Sequence, residues 1–434
     1  MFKAGASQVV ITPPVGTALR GYFRKRISDG ILDDLHAKTL VLDDGERQAA
    51  LIICDLIGVT KDAVKAARKL ISERCGIPED SVMIAATHTH TGPSLEDSGF
   101  SPVDPDWCAL FPKLVAGGVT AALSRLRPAE VAVYVGHEDS IAFNRRYRMR
   151  DGTVRTNPGV GNPEVVEPAG PIDPEVGVLC VREENEGGLI AVLVNYACHL
   201  DVIGGTKMSA DYPAYLARSL RNALEGDFVV LFGTGTCGDI NHIDVFGGRS
   251  LKGLEHARRM GMILAGETLR ALGRMREFRA DLSVKVVRED VELPYRKVTE
   301  EEIATARRIL ENPQTPSPST FRPDWIQARK IVTLSEMAEE FRRTEIQAIA
   351  IGDIAILGLP GEVFVEIGLQ IKRGSPASHT FILEQANDSL GYLPTRRAFS
   401  EGGYEPSSSL YADDIEEILV RGSLDVLRKA IFSS

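Results

Sequence analysis

The feature that most constrains this chain is a short, wholly apolar segment, Val82-Met83-Ile84-Ala85-Ala86, that runs without a turn into Thr87-His88-Thr89-His90. Five apolar residues in a row have no polar face to offer water. They therefore read as a strand covered on both sides. Strands of that kind belong to α/β architectures, where helices cover the sheet and ligands bind beyond the carboxyl ends of the strands.

The pattern recurs along the chain. Leu189 to Tyr196 is a strand ending in Ala197-Cys198-His199, and Phe228 to Phe232 is one ending in Gly233-Thr234-Gly235-Thr236-Cys237-Gly238-Asp239. Helical spacing marks Lys61 to Glu73, Tyr212 to Leu224, Leu254 to Leu272 and Asp413 to Ala430. Ala37 to Leu42 and Ala49 to Cys54 read as a hairpin around Asp43-Asp44-Gly45-Glu46, and Glu345 to Leu359 as another around Gly352-Asp353. Phe381 to Glu384 is a further strand. The expected fold is α/β, a large mixed sheet with flanking helices in a single large catalytic domain of one or two lobes. That domain spans residues 1–434. No fixed-period repeat is legible. Arg150 to Pro174 is rich in Gly, Pro and Asn, and a connection of that length reads as a binding element or a lid. Asn312 to Arg322, Pro/Ser-rich between two polar helices, is the only candidate boundary.

Composition excludes several classes. Sixty acidic against 50 basic side chains leave a formal charge of −10, which offers no basic face to nucleic acid. No apolar run approaches the roughly 18 residues of a membrane span. Met1 to Ser7 has no apolar leader core, so a cytoplasmic location is expected, and the six cysteines, none in a C-x-x-C pair, read as reduced and mostly buried.

The chemistry concentrates at strand ends. In extended backbone, residues two apart point to one side, so His88 and His90 can converge on an ion, or one can bind while the other moves protons. His199 occupies the same topological position on another strand. Leu357-Gly358-Leu359-Pro360-Gly361-Glu362 ends a strand at a carboxylate, and Glu362 with two histidines makes a His₂Glu set of the hydrolytic-zinc type. Glu362 equally suits the start of a helix. The glycine-rich loop to Asp239 lacks a Gly-Lys-Ser/Thr ending; its backbone N–H groups suit a pocket lining or an oxyanion hole, and Asp239 can instead hold the loop. Asn144-Arg145-Arg146-Tyr147-Arg148 offers cations and an aromatic to a polar substrate.

Taken in order, the chain resembles the catalytic domain of the neutral/alkaline non-lysosomal ceramidases. The matching stretches are Ile11-Thr12-Pro13-Pro14-Val15-Gly16, Ala86-Thr87-His88-Thr89-His90-Thr91-Gly92-Pro93, Asn144-Arg145, Asn195-Tyr196-Ala197-Cys198-His199, Cys237-Gly238-Asp239, Leu359-Pro360-Gly361-Glu362, and Asn387 through Tyr392 into Gly403-Tyr404-Glu405. The resemblance implies one catalytic Zn2+ held by His88, His199, Glu362 and Tyr392. It also implies that His90 is a second active-site histidine and that Arg145 lies near the reacting centre. Two departures stand out. Where ceramidases carry a serine in Gly-Asp-x-Ser-Pro, this chain reads Gly238-Asp239-Ile240-Asn241-His242. A secretory leader and a C-terminal β-sandwich domain are also expected to be absent.

The expected function is zinc-dependent hydrolysis of an amide in a small-molecule substrate by metal-activated water. His90 would transfer protons with Asp239 or His242 sharing the duty, Asn241 would donate a hydrogen bond, Tyr392 would serve as fourth ligand or oxyanion donor, and Arg145 would orient substrate. Other divalent metals suit the same donors. The alternatives are a zinc hydrolase of glycosidic, ester or phosphate bonds in a sugar-like substrate, and a non-catalytic metal- or ligand-binding homologue.

Overall fold

Three successive stretches of the chain fold into the same series of strand, strand, strand, helix, strand and helix. The computed structural model describes residues 1–98, 100–185, 187–248, 251–311 and 323–432. The Asn312 to Arg322 boundary candidate lies outside the described residues.

The first unit comprises strands Lys3–Val10, His36–Asp43 and Gln48–Cys54, helix Lys61–Cys75, strand Val82–Ala86 and helix Pro105–Leu123. The second comprises strands Arg127–His137, Glu175–Glu183 and Leu189–Tyr196, helix Tyr212–Leu224, strand Val229–Thr234 and helix Leu254–Arg274. The third comprises strands Val284–Pro294, Phe341–Ile351 and Ile354–Gly358, helix Val365–Gly374, strand His379–Leu383 and helix Ile415–Phe432. In each unit the first three strands pair antiparallel, and the third and fourth pair parallel across the intervening helix. No repeat period was legible because the connection between first and second strands differs in length each time. Spatial topology is shared; sequence spacing is not.

Units one and two join through the amino ends of their first strands, Lys3 against Pro128 and Ala4 against Arg127, giving one mixed eight-stranded sheet. The third unit forms a separate four-stranded sheet. The inner faces of all three share one apolar core, which includes Leu51, Met83, Leu193, Leu231, Ile356 and Phe381. The outer face of each is covered by its own helices: Phe111 and Ile71 over the first, Leu216 and Leu264 over the second, Ile371 and Leu427 over the third. This explains the uninterrupted apolar strands, which have a core on one side and a helix on the other.

Local signals set the helix ends. Thr60 accepts from the Ala63 N–H at the start of Lys61–Cys75, and Gly76 closes it in left-handed backbone at φ +74°. Asp104 caps Pro105–Leu123, with the proline in its first turn. Arg150 to Pro174 is not a bare loop: Val154–Thr156 and Val165–Pro168 flank Arg146–Met149 in a small antiparallel sheet. Among the described residues no helix is long and apolar enough to cross a membrane.

The fourth strands of the three units meet at their carboxyl ends. The Ala86 N–H donates to Gln385 O (3.1 Å), the Glu384 N–H to Thr234 O (3.0 Å), and the Thr234 hydroxyl to Thr87 O (2.7 Å). First, third and fourth strands of a unit run the same way. Their exits, and the long first-to-second connections, therefore emerge at one end of each unit.

Candidate metal centre

Each unit sends at least one donor to that meeting point. His88 and His90 follow the fourth strand of the first unit, His199 the third strand of the second, and Glu362 the third strand of the third. The local route for the first pair differs from the expected extended backbone. His88 sits at φ +70°, a left-handed conformation costly for an L residue, and is over-determined by its surroundings. Its N–H donates to Leu56 O (2.8 Å), and those of Thr87 and His90 donate to Cys54 O (2.9 Å) and Leu200 O (3.0 Å). The twist brings the His88 and His90 rings edge to face, with centroids 5.0 Å apart. Gly21 passes over His90 so closely that a Cβ there would lie 2.7 Å from the His90 Cβ.

Tautomers follow from the hydrogen bonds. His88 Nδ1 lies 2.6 Å from Ile57 O and His199 Nδ1 2.8 Å from Cys237 O. A carbonyl only accepts, so each Nδ1 carries the proton and each Nε2 presents a lone pair. Those two Nε2 atoms are 3.3 Å apart, and each faces Glu362 Oε2, at 3.5 Å from His88 and 3.3 Å from His199. Lone pairs and a carboxylate so placed repel unless a proton or a metal ion stands between them. Ligands about 2.0–2.1 Å from a tetrahedral ion are separated from one another by roughly 3.3–3.4 Å, the edge length this triangle shows. His90 Nε2 lies 3.4 Å from His88 Nε2, and the donor atoms of His88, His90 and His199 all fall within 4.8 Å of one another, so these three could hold a metal ion. His90 Nδ1 is buried without a hydrogen-bond partner among the described residues.

Burial opposes charge on Glu362, yet His88 and His199 hold its pKa well below the usual carboxylate value. Burial also opposes charge on His88, and Glu362 nevertheless leaves its pKa above the ordinary histidine value. His90 is pushed well below that value by burial and then by His88.

The other residues singled out from the sequence occupy distinct places. Tyr392 pairs beside Glu362 in a two-residue parallel ladder, and Arg145 Cζ lies 5.4 Å from its ring. Its hydroxyl bonds to Tyr404. Arg145 is buried, donating from Nε to Glu405 Oε1 and from Nη2 to Gly238 O, both at 2.8 Å. Asp239 accepts from Val365 N (2.9 Å) and Asn144 Nδ2 (2.8 Å), so both carboxylate oxygens tie loops together; burial raises its pKa to about 6. Asn241 donates to Asn157 Oδ1 (3.0 Å) and accepts from Ile243 N (3.0 Å). His242 Nδ1 lies 3.1 Å from Asp201 Oδ1. Three N–H groups of the glycine-rich loop are already engaged and are not open to an oxyanion. Those of Gly235, Cys237 and Gly238 donate to Tyr196 O, Glu384 Oε2 and Val363 O.

Two buried acids escaped the sequence reading. Glu384 accepts from Cys237 N (2.9 Å) and Val363 N (3.2 Å), locking the loop that orients His199 to the loop that carries Glu362. Its signal was a carboxylate ending the apolar strand Phe381 to Glu384. Glu405, fully buried, joins Arg145, Arg146 (3.5 Å) and the Thr156 hydroxyl (2.7 Å). Only the run Gly403-Tyr404-Glu405 hinted at it.

Fold and site together define an α/β protein of three like units around a histidine-carboxylate cluster. Its fold is that of the neutral ceramidases. The structure of neutral ceramidase from Pseudomonas aeruginosa matches all of this chain and 75% of its own, with a TM-score of 0.77 at 17% identity. A structure described as ceramidase complexed with C2 matches 100% of this chain and 76% of its own, with a TM-score of 0.76 at 16% identity. No family model and no curated protein matches the sequence.

Proposed function

We propose that the chain is a metal-dependent hydrolase that cleaves an amide bond in an N-acylated small molecule, with zinc as its ion and the three units acting as one catalytic domain. The observation that carries this reading is the triangle of His88 Nε2, His199 Nε2 and Glu362 Oε2, with edges of 3.3–3.5 Å and both Nδ1 protons tied to carbonyls. The likeness to ceramidases supports an amide as the bond cleaved. A divalent ion held there supplies Lewis acidity at the scissile carbonyl and lowers the pKa of water towards about 7.

The chain's own residues do the rest. His88, His199 and Glu362 bind the ion. His90, adjacent and partly exposed, accepts a proton from the attacking water and returns it to the leaving amine. Arg145, fixed by Glu405 and Gly238 O, positions Tyr392, whose hydroxyl turns from Tyr404 to donate to the developing oxyanion. Asn241 and Asp239, with their polar atoms already engaged, hold loops. No serine stands at the Asn241 position, so water is the nucleophile and no acyl-enzyme forms.

Metal analysis of the purified protein tests this directly, followed by assay on matched amides, esters, phosphates and glycosides before and after chelation. Near-stoichiometric zinc, amide turnover abolished by chelator and restored by zinc, and loss of both metal and turnover in a folded His88→Ala protein are expected. Hydrolysis that survives exhaustive chelation, or protein with no bound divalent metal, overturns the reading.

A further inference from the structure

A wall of aromatic rings leads away from Glu362. Tyr392, its ladder partner, meets Tyr404 at a centroid distance of 5.4 Å, Tyr404 meets Phe23 at 6.2 Å, Phe23 meets Phe100 at 6.1 Å, and Phe100 meets Trp325 at 5.9 Å. Four separate segments contribute these rings, so the wall is made by the fold and not by one run of sequence. It is not core: Phe23 is 38% exposed. An apolar chain laid along it buries surface at about 25 cal/mol per Å².

Cations line the same wall. Arg20 lies three residues before Phe23, and Lys330 is on the Pro323–Glu336 helix that carries Trp325. Arg329 covers Trp325 at 5.0 Å and Phe100 at 5.6 Å. Arg20 has Glu96 at 3.8 Å, a carboxylate that is more than half exposed. Lys330 makes no hydrogen bond or ion pair among the described residues. Burial first, and then Arg20 beside it, lowers the Lys330 pKa; burial lowers that of Arg20 too, and both feel the Glu362 charge. Two half-buried cations held near each other, of which Lys330 makes no direct ion pair among the described residues, are relieved by an anion.

We infer that the substrate is an anionic amphiphile, an N-acylated compound whose apolar chain lies along the Tyr392–Tyr404–Phe23–Phe100–Trp325 wall and whose carboxylate or phosphate group is held by Arg20 and Lys330. This deepens the hydrolase reading above and rests on it for turnover, though not for binding. An uncharged amide would fill the wall and leave Lys330 unmet.

Two measurements test it. The first compares kcat/KM on amides sharing one acyl chain: a neutral N-acyl amine, an N-acyl amino acid and an N-acyl aminoalkyl phosphate. At least one anionic member is expected to exceed the neutral one by about tenfold or more, and Lys330→Met and Arg20→Met each to reduce that ratio about tenfold at unchanged thermal midpoint. Which anion leads tells carboxylate from phosphate. The second titrates non-hydrolysable ether analogues of the same three compounds by tryptophan fluorescence. The chain has two tryptophans, and Trp107 is buried against Ile11 O, so Trp325→Phe should remove the response. Equal affinity for neutral and anionic analogues, or an anion preference untouched by either cation variant, overturns the inference. Anion-selective binding with no turnover of any amide sustains it and defeats the hydrolase reading instead.

Discussion

Gly238→Ala isolates the position of Glu362 from its chemistry. A Cβ on Gly238 would lie 2.5 Å from Glu362 O, 2.9 Å from Glu362 C and 3.0 Å from Val363 C, all backbone atoms that no rotamer change can move aside. Gly238 is not among the glycines in left-handed backbone, so alanine is conformationally acceptable there and the clash is the whole perturbation. Restoring ordinary contact at about 3.4 Å pushes the two loops apart by about 0.9 Å. Metal–ligand distances tolerate only about 0.2 Å. Even half of that displacement breaks the edges between Glu362 and the two imidazoles. Zinc affinity should fall by about 10–100-fold, as when groups supporting a metal site are lost, and kcat/KM at saturating zinc by about 100-fold. Chelator competition with a chromogenic zinc indicator reads the first, initial rates the second, and a thermal melt confirms folding. Gly117→Ala on the Pro105–Leu123 helix is the control, since its Cβ meets nothing within 4 Å and should be neutral or stabilising by up to about 1 kcal/mol. A Gly238→Ala protein with wild-type zinc affinity and rate would refute the argument that the close approach of these loops sets the site.

Glu405→Gln leaves the buried Arg145 and Arg146 around a neutral amide, and should cost about 3–5 kcal/mol in urea unfolding, far more than loss of an exposed pair. Glu384→Ala strands the N–H groups of Cys237 and Val363, with an expected loss of about 2–5 kcal/mol, while Glu384→Gln, which still accepts, should lose much less; equal losses would contradict this. His379, beside Phe381, has its pKa lowered to about 4 by burial and then by Lys372. Below about 6.5 the unfolded chain binds a proton there that the folded chain refuses until about 4. Stability should therefore fall as pH drops through that window, and His379→Leu should flatten the profile over it.

The strands and helices were legible because their signals are local. Leu189–Tyr196 and Tyr212–Leu224 fall where their apolar pattern put them, and the hairpin around Gly352-Asp353 forms as read. The threefold recurrence of the unit was not legible, because it lives in strand pairing while the connecting segments differ in length. At the site, His88, His90, His199 and Glu362 were found through their place after apolar strands, and the structure brings them together. The reason given for His88 and His90 did not hold, since the left-handed turn at His88 is imposed by backbone partners at Cys54 and Leu56, which sequence spacing does not reveal. Glu384 and Glu405 were missed for a related cause: each acts on backbone or guanidinium groups distant in sequence, and a lone glutamate advertises none of that.

The three long connections between first and second strands open at the same end of their units as the donor-bearing exits, yet carry none of the triangle's atoms. Arg20 and Phe23 come from the first and Trp325 and Lys330 from the third, whereas His88, His199 and Glu362 sit on exits pinned by the meeting strands. On the proposals above, selectivity and metal binding sit on different parts of a shared frame. Grafting a foreign segment between Tyr295 and Glu340, which among the described residues sends no hydrogen bond to the histidines or Glu362, should redirect which molecule is accepted while the triangle keeps its shape, so this architecture lends itself to diversification by insertion.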